Sequence, residues 1–234
     1  MRMTSGILVF LAVAAIQVQA QKAKSPTTAP PLRTNSVDNF AVESFLNTGT
    51  SGSIIVTGPC TRGPYGDGAL TDLVSIPDPA GFKRIDETLD NLSGVSDHYA
   101  WTRQNDGLVQ LKDNRATAPL LRLELQRVEL TKVVNLEDAI DKLLAATEVK
   151  AFLDRNHIAL EPVFDGGSMW NEKMTRQLSK SRTAPKYSLT LTKVTVEEAL
   201  NSAVRTFPGV WVYYECPGQI NLISRGGFSP SSKK

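Results

Sequence analysis

Tyr187 to Ser224 reads YSLTLTKVTVEEALNSAVRTFPGVWVYYECPGQINLIS, and the fold is decided there. Tyr187, Leu189 and Leu191 alternate with Ser188 and Thr190, the period of two of a half-buried strand. Thr195 offers a hydroxyl at a helix N-cap, and Glu198 follows at the spacing of a capping box. Val196, Ala199, Leu200, Ala203, Val204 and Phe207 then form one apolar stripe at helical spacing. Pro208-Gly209 ends that helix, because proline cannot continue it and glycine accepts the unusual backbone angles beyond it. Val210 to Tyr214 is β-branched and aromatic, Pro217-Gly218 fills the centre of a turn, and Gln219 to Ile223 returns as a partner strand. The predicted unit is β-α-β-β, with its helix covering one face of a small sheet.

A fainter copy lies upstream. Ile85 to Leu92 matches Val196 to Ala203 at an offset of 111 residues, and at the same offset Gly107 meets Gly218, Val109 meets Ile220 and Leu111 meets Leu222. Trp101 and Trp211 both fall in the first hairpin strand, one position out of step. A single offset shared by helix, turn and final strand marks an internal repeat.

Outward from these units, the chain begins with a charged head at Arg2, an apolar run from Ile7 to Ile16 and small residues at Val18 and Ala20. That is the pattern of a secretory signal peptide over 1–20, and the run is shorter than the ~20 residues of a membrane-spanning helix. It implies a periplasmic or secreted protein with no integral membrane segment once the signal is removed. Residues 21–35, rich in lysine, threonine and proline, read as a disordered linker. Ser36 caps a helix carrying Val37, Phe40, Ala41 and Phe45; Ser53 to Thr57 and Leu73 to Ile76 read as strands, and Gly58 to Gly68 as an exposed loop. In the second half, Asn135 caps a helix with Leu136, Ala139, Ile140, Leu143 and Leu144. Val149 to Leu153 adds a turn or short helix, and Ile158 to Phe164, interrupted by Pro162, reads as an edge strand. Leu121 to Val128 alternates as a strand joining the halves, Asp165 to Pro185 is a long polar insert, and 226–234 is a frayed tail. The expected class is α+β, with two small units in tandem over 36–115 and 116–225, each a short sheet packed against helices.

In this order the chain resembles the short N-terminal domain of secretins and TonB-dependent receptors, the STN domain. Leu191-Thr-Lys-Val194, Val196-Glu-Glu-Ala-Leu200, the Val210 to Tyr213 strand and Gly218-Gln-Ile-Asn-Leu222 carry the resemblance, and Ile85 to Leu92 with Gly107 to Leu111 carries it in the first half. Arg84 replaces the capping Thr195, and the stretches around Cys60 and Gly167 exceed that family's short links. The resemblance implies an appended periplasmic module whose partners are envelope proteins.

Catalytic and ligand-binding candidates are sparse. The formal charge of +2 is too balanced to argue for nucleic acid. Gly58 to Gly68 is glycine-rich but lacks the lysine and hydroxyl ending of a phosphate loop. His98 and His157 with two cysteines lack zinc-ligand spacing. Asp86-Glu87 and Glu197-Glu198 point in different directions from helix starts, where the dipole favours carboxylates. No nucleophile with a base and an orienting third group stands out, and no cofactor is implied. Cys60 and Cys216, the only cysteines, permit a disulfide in an exported chain or stand as two free thiols. Trp101, Trp211 and Tyr213 line a candidate binding surface, or else complete the core. The reading is a non-catalytic binding or scaffold module, with recognition of a small ligand or cell-wall glycan between the copies as the alternative.

Overall fold

The computed structural model describes residues 32–63, 66–69, 71–160, 177, 180 and 185–226. The first half runs β1 (Leu32–Ser36), α1 (Val37–Thr48), β2 (Gly52–Thr57), β3 (Cys60–Gly63), β4 (Gly66–Ala69), β5 (Leu73–Pro77), α2 (Ile85–Val95), β6 (Tyr99–Arg103) and β7 (Val109–Asp113). The second runs β8 (Glu124–Val133), α3 (Leu136–Leu144), α4 (Thr147–Arg155), β9 (Ala159–Leu160), β10 (Tyr187–Thr195), α5 (Val196–Thr206), β11 (Gly209–Cys216) and β12 (Gln219–Gly226). The class is α+β.

Helix starts follow the sequence unevenly. Thr195 and Glu198 form the full capping box, and Asn135 Oδ1 accepts from the Asp138 amide at 2.8 Å. Ser36 and Arg84 stand at N-cap positions without a side-chain cap bond. The Leu32–Ser36 strand takes up the last residues of the expected 21–35 linker, because β5 pairs with it from Leu73 to Pro77. The stretch from Gly58 to Gly68 is not a plain loop: it folds back as the β3–β4 hairpin. The strand expected from Leu121 begins instead at Glu124, after a 3-10 turn over Leu120–Arg122, and continues to Val133. The expected signal peptide, most of the 21–35 linker, most of the 165–185 insert and most of the tail lie outside the described residues.

Pairing repeats in the two halves. β1 with β5, and β8 with β10, make two-stranded antiparallel ribbons; β6-β7-β2 and β11-β12-β9 make three-stranded runs in which the hairpin's last strand takes a parallel neighbour. The runs do not stay separate. β2 and β11 pair in parallel, Gly52–Thr57 against Val210–Glu215, giving one six-stranded sheet β6-β7-β2-β11-β12-β9. This corrects the expectation of one short sheet per unit. One face of the sheet, through Ile54, Val56, Val210 and Val212, packs with Phe40 and Phe45 of α1 and Leu89 and Leu92 of α2. The opposite face, through Ile55, Trp211 and Tyr213, packs with Ile140 and Leu143 of α3 and Leu200 and Val204 of α5. Each half thus covers a different face of the shared strands.

Gly52 stands where β2, β7 and α1 meet. A Cβ there would lie 1.8 Å from the Val109 carbonyl oxygen and 2.9 Å from the Phe45 ring. Backbone cannot yield as a flexible side chain does, so even one methyl forces the strands apart. Gly52→Ala is expected to lower stability by about 3 kcal/mol, read from denaturant midpoints at unchanged slope; a variant as stable as the parent would contradict this packing.

Candidate functional site: the groove where the halves meet

Joining the sheets brings α5 of the second half over β7 of the first. Gln110 Nε2 donates to Glu197 Oε1 at 2.6 Å and to Ser53 Oγ at 3.3 Å. Arg205 Nε donates to Asp106 Oδ2 at 2.6 Å, tying the far end of α5 to the β6–β7 turn. Between these ties runs an open groove of about 550 Å³, lined by Gln104, Thr195, Glu197, Glu198, Asn201 and Arg205 among others. Its groups are amides, hydroxyls and charges, mostly engaged already. Glu198 accepts from the Thr195 amide at 2.7 Å, and Asn201 Oδ1 accepts from Trp211 Nε1 at 3.1 Å. The Asp106 carboxyl sits below the usual range, chiefly through the Arg205 bond. Such a wall presents hydrogen-bonding and charged groups to the groove.

A smaller cavity of about 250 Å³ opens near the tip of β11–β12, lined by Thr57, Pro119, Ile158, Glu215, Cys216 and Ile220 among others. The Glu215 carboxylate accepts from the Ala118 amide at 2.6 Å and from the Thr117 hydroxyl, which pins the link between the halves to β11. Cys216 is buried, and no cysteine is free among the described residues; the Cys60 side chain lies outside them.

The aromatic surface expected from Trp101, Trp211 and Tyr213 is not what the fold makes. Trp211 and Tyr213 are fully buried, because β11 is covered on both faces. Burial, with the Glu215 charge nearby, pushes the Tyr213 phenol well above its ordinary range. Trp101 is half-buried and donates Nε1 to Asp90 Oδ1 of α2 at 2.9 Å. Strand register also revises the repeat. Trp101 opposes Leu111 as Tyr213 opposes Leu222, so the counterpart of Trp211 is Tyr99.

The remaining candidates have structural positions. Asp86 accepts from Arg103 and from Arg84, and the Arg103 bond holds its carboxyl below the usual range. His157, with φ of 52°, is the left-handed residue that closes α4: Ile158 N donates to Leu153 O at 3.0 Å and His157 N to Asp154 O at 3.2 Å. His98 is exposed, 3.4 Å from Asp97. No group of three or more histidine, cysteine or acidic side chains gathers to hold a metal among the described residues. No helix among them is long and apolar enough to cross a membrane.

One cluster escaped sequence reading. Arg115 donates to the buried Asp113 through Nε at 2.9 Å and Nη2 at 2.7 Å, and Nη2 reaches Asp72 at 2.6 Å. Tyr99 Oη donates to the same Asp72 oxygen at 2.9 Å. Only the short Asp113-x-Arg115 spacing was visible; β5 and β6 deliver the other two from afar. Compared with known proteins, the chain matches no family model, no curated protein and no solved structure.

Partial burial would raise the Asp72 carboxyl, but the Tyr99 hydrogen bond and then Arg115 outweigh it and leave it lowered from 3.8. A folded-state value below the unfolded one stabilises the fold above pH 3.8, and that contribution is lost as pH falls through the folded value. Asp72→Asn is therefore expected to flatten the loss of stability below about pH 4, measured by thermal unfolding across acid pH. An unchanged acid profile would place the acid sensitivity elsewhere.

Proposed function

We propose that this chain is an exported, non-catalytic binding or scaffold module of the cell envelope, built from two copies of one STN-like unit and acting through contact with other envelope proteins. The observation that carries this reading is the pair of two-stranded ribbons. The outer edges of β1, β5, β8 and β10 have no strand partner among the described residues. Unpaired edge amides and carbonyls are what an extended partner segment adds to. The β8–β10 ribbon is the longer, and its outward Thr190, Thr192, Arg127 and Glu129 are exposed. The export signal of residues 1–20 and the resemblance to periplasmic modules support the location.

Crosslinking in the native envelope, followed by affinity purification and mass spectrometry, tests the reading. The expected result is reproducible recovery of another envelope protein, linked through Lys132 or Lys193 of the ribbon. Recovery of nothing but copies of this chain would overturn it. A second reading, recognition of a small ligand or glycan, is favoured by the polar groove at the meeting of the halves. Sedimentation of the purified protein with protein-free cell wall would select it.

Within this reading, Cys60 and Cys216 form a disulfide that ties the β3–β4 hairpin to the end of β11. The Gly58 amide already donates to the Glu215 carbonyl at 3.2 Å, which brings the start of that hairpin beside Cys216. Closing so long a loop contributes up to about 5 kcal/mol in the chain-entropy account. Titration of the unfolded, unreduced mature protein should find no free thiol, and reduction should lower its melting temperature; two thiols without reductant would refute the bond.

A further inference from the structure

We infer that the open edge of β10 docks an extended, carboxylate-bearing segment of a partner protein. This rests on the ribbon edges that carry the scaffold reading, and it names what they take. Two hydrogen bonds tell which backbone groups of β10 point outward. The Val196 amide donates to the Leu123 carbonyl at 3.0 Å, on the β8 side, whereas the Thr195 amide turns away to Glu198 Oε2 at 2.7 Å. Register runs without a shift from Thr195 opposite Glu124 back to Leu189 opposite Leu130. Antiparallel ladders alternate, so Val194, Thr192 and Thr190 face β8. Leu189 and Leu191 turn their N–H and C=O groups to the open side, where no strand pairs among the described residues. Their side chains are half-buried against the core of the second half.

Charge chooses the occupant. From Lys186 to Thr195 the chain carries two lysines and no acidic residue, and both lysines are exposed. β8 is mixed, with Glu124, Glu129, Arg127 and Lys132, and Arg127 is paired with Glu129 at 2.5 Å. Lysines along an edge repel a second copy laid on the same strand, and they admit a segment of opposite charge. In the first half β5 takes the place of β10, and it ends on Pro77 after five residues with no lysine. The long basic edge, nine residues of it, belongs to the second half.

The backbone supplies a second, independent observation. Lys193 has φ of 52° and Lys132 φ of 54°, each in the same tetrapeptide, Leu191-Thr-Lys-Val194 and Leu130-Thr-Lys-Val133, shortly before a helix. A left-handed backbone strains any residue with a Cβ, and glycine is the residue it favours. Both positions hold an exposed lysine instead, and neither ammonium meets an acidic group among the described residues. The turn needs the backbone angle and not the ammonium, which leaves the charge to serve a ligand. An added strand sets apolar residues opposite Leu189 and Leu191, and carboxylates beside Lys186 and Lys193, which are about 23 Å apart at a strand's rise per residue.

Selection from a displayed library of random peptides against the mature protein tests this, with the site mapped by amide NMR shifts. The expected peptides are rich in Asp and Glu with alternate apolar residues, and they perturb the Leu189 and Leu191 amides. Lys186→Glu with Lys193→Glu should weaken their binding about tenfold. Lys193→Gly suits the left-handed angle, so it should melt close to the parent yet bind about threefold more weakly. A Gly variant that binds like the parent makes the lysine structural and overturns the proposal. So do enrichment of neutral or basic peptides, no enrichment, or binding away from β10. Envelope crosslinks to a partner that avoid β10 overturn it too, while the scaffold reading stands. Acidic peptides docked on β10, with no envelope protein recovered, uphold the edge and overturn that reading alone.

Discussion

The parallel pairing of β2 with β11 holds the two halves as one body. Its strands are far apart in the chain, and they are joined without a hairpin or crossover of their own. Parallel strands of this kind are stable when both faces are covered, and here each face is covered by a different half. That explains the composition of the two strands. Ile54-Ile55-Val56 and Val210-Trp211-Val212-Tyr213-Tyr214 are continuous apolar runs, because neither has a solvent side. It also explains Gly52: where β7 and the Phe45 ring close on the start of β2, no Cβ has room.

Polar ties around this pair decide how much the halves can shift. Glu215 holds the link at Thr117 and Ala118, Gln110 meets Glu197, and Asp106 meets Arg205. On the other face, Tyr214 donates to Asp38 at 2.8 Å, so the start of α1 is tied to β11. Exposed ion pairs contribute little singly. The buried Asp113 is different, since a carboxylate without solvent needs its partners, and Arg115 with two nitrogens supplies them. That cluster fixes the end of β7 against β5 and β6.

Local structure was legible in the sequence because its causes are local. The capping box at Thr195, the cap at Asn135 and the Pro217-Gly218 turn are each set by residues within a few positions. The matching order of strand pairs in the two halves shows only once the ladders are in place, and there Tyr99, not Trp101, holds the position of Trp211. The merging of the sheets is not visible in the sequence as a pairing, which is why Trp211 and Tyr213 read there as either a surface or part of the core. A signal existed. A half-buried strand alternates, and neither Val210–Tyr214 nor Ile54–Val56 does; unbroken apolar runs bounded by turns point to burial on both faces. The Asp72–Tyr99–Arg115 cluster left no comparable trace, since its members meet only after β5, β6 and β7 are in place.

Placing the helices on opposite faces has a further consequence across the width of the sheet. At the centre both faces are apolar and covered. Toward β6, the face opposite α2 carries Ala100, Thr102, Gln110 and Lys112, and Gln110 is met from above by Glu197. The sheet therefore passes from a two-sided core to a one-sided, solvated margin within three strands. The side chains on the open face of that margin are small or polar, and among the described residues β6 has no second strand partner. Interaction at such an edge draws on backbone complementarity first and side chains second, which makes register and strand direction the terms that select a partner.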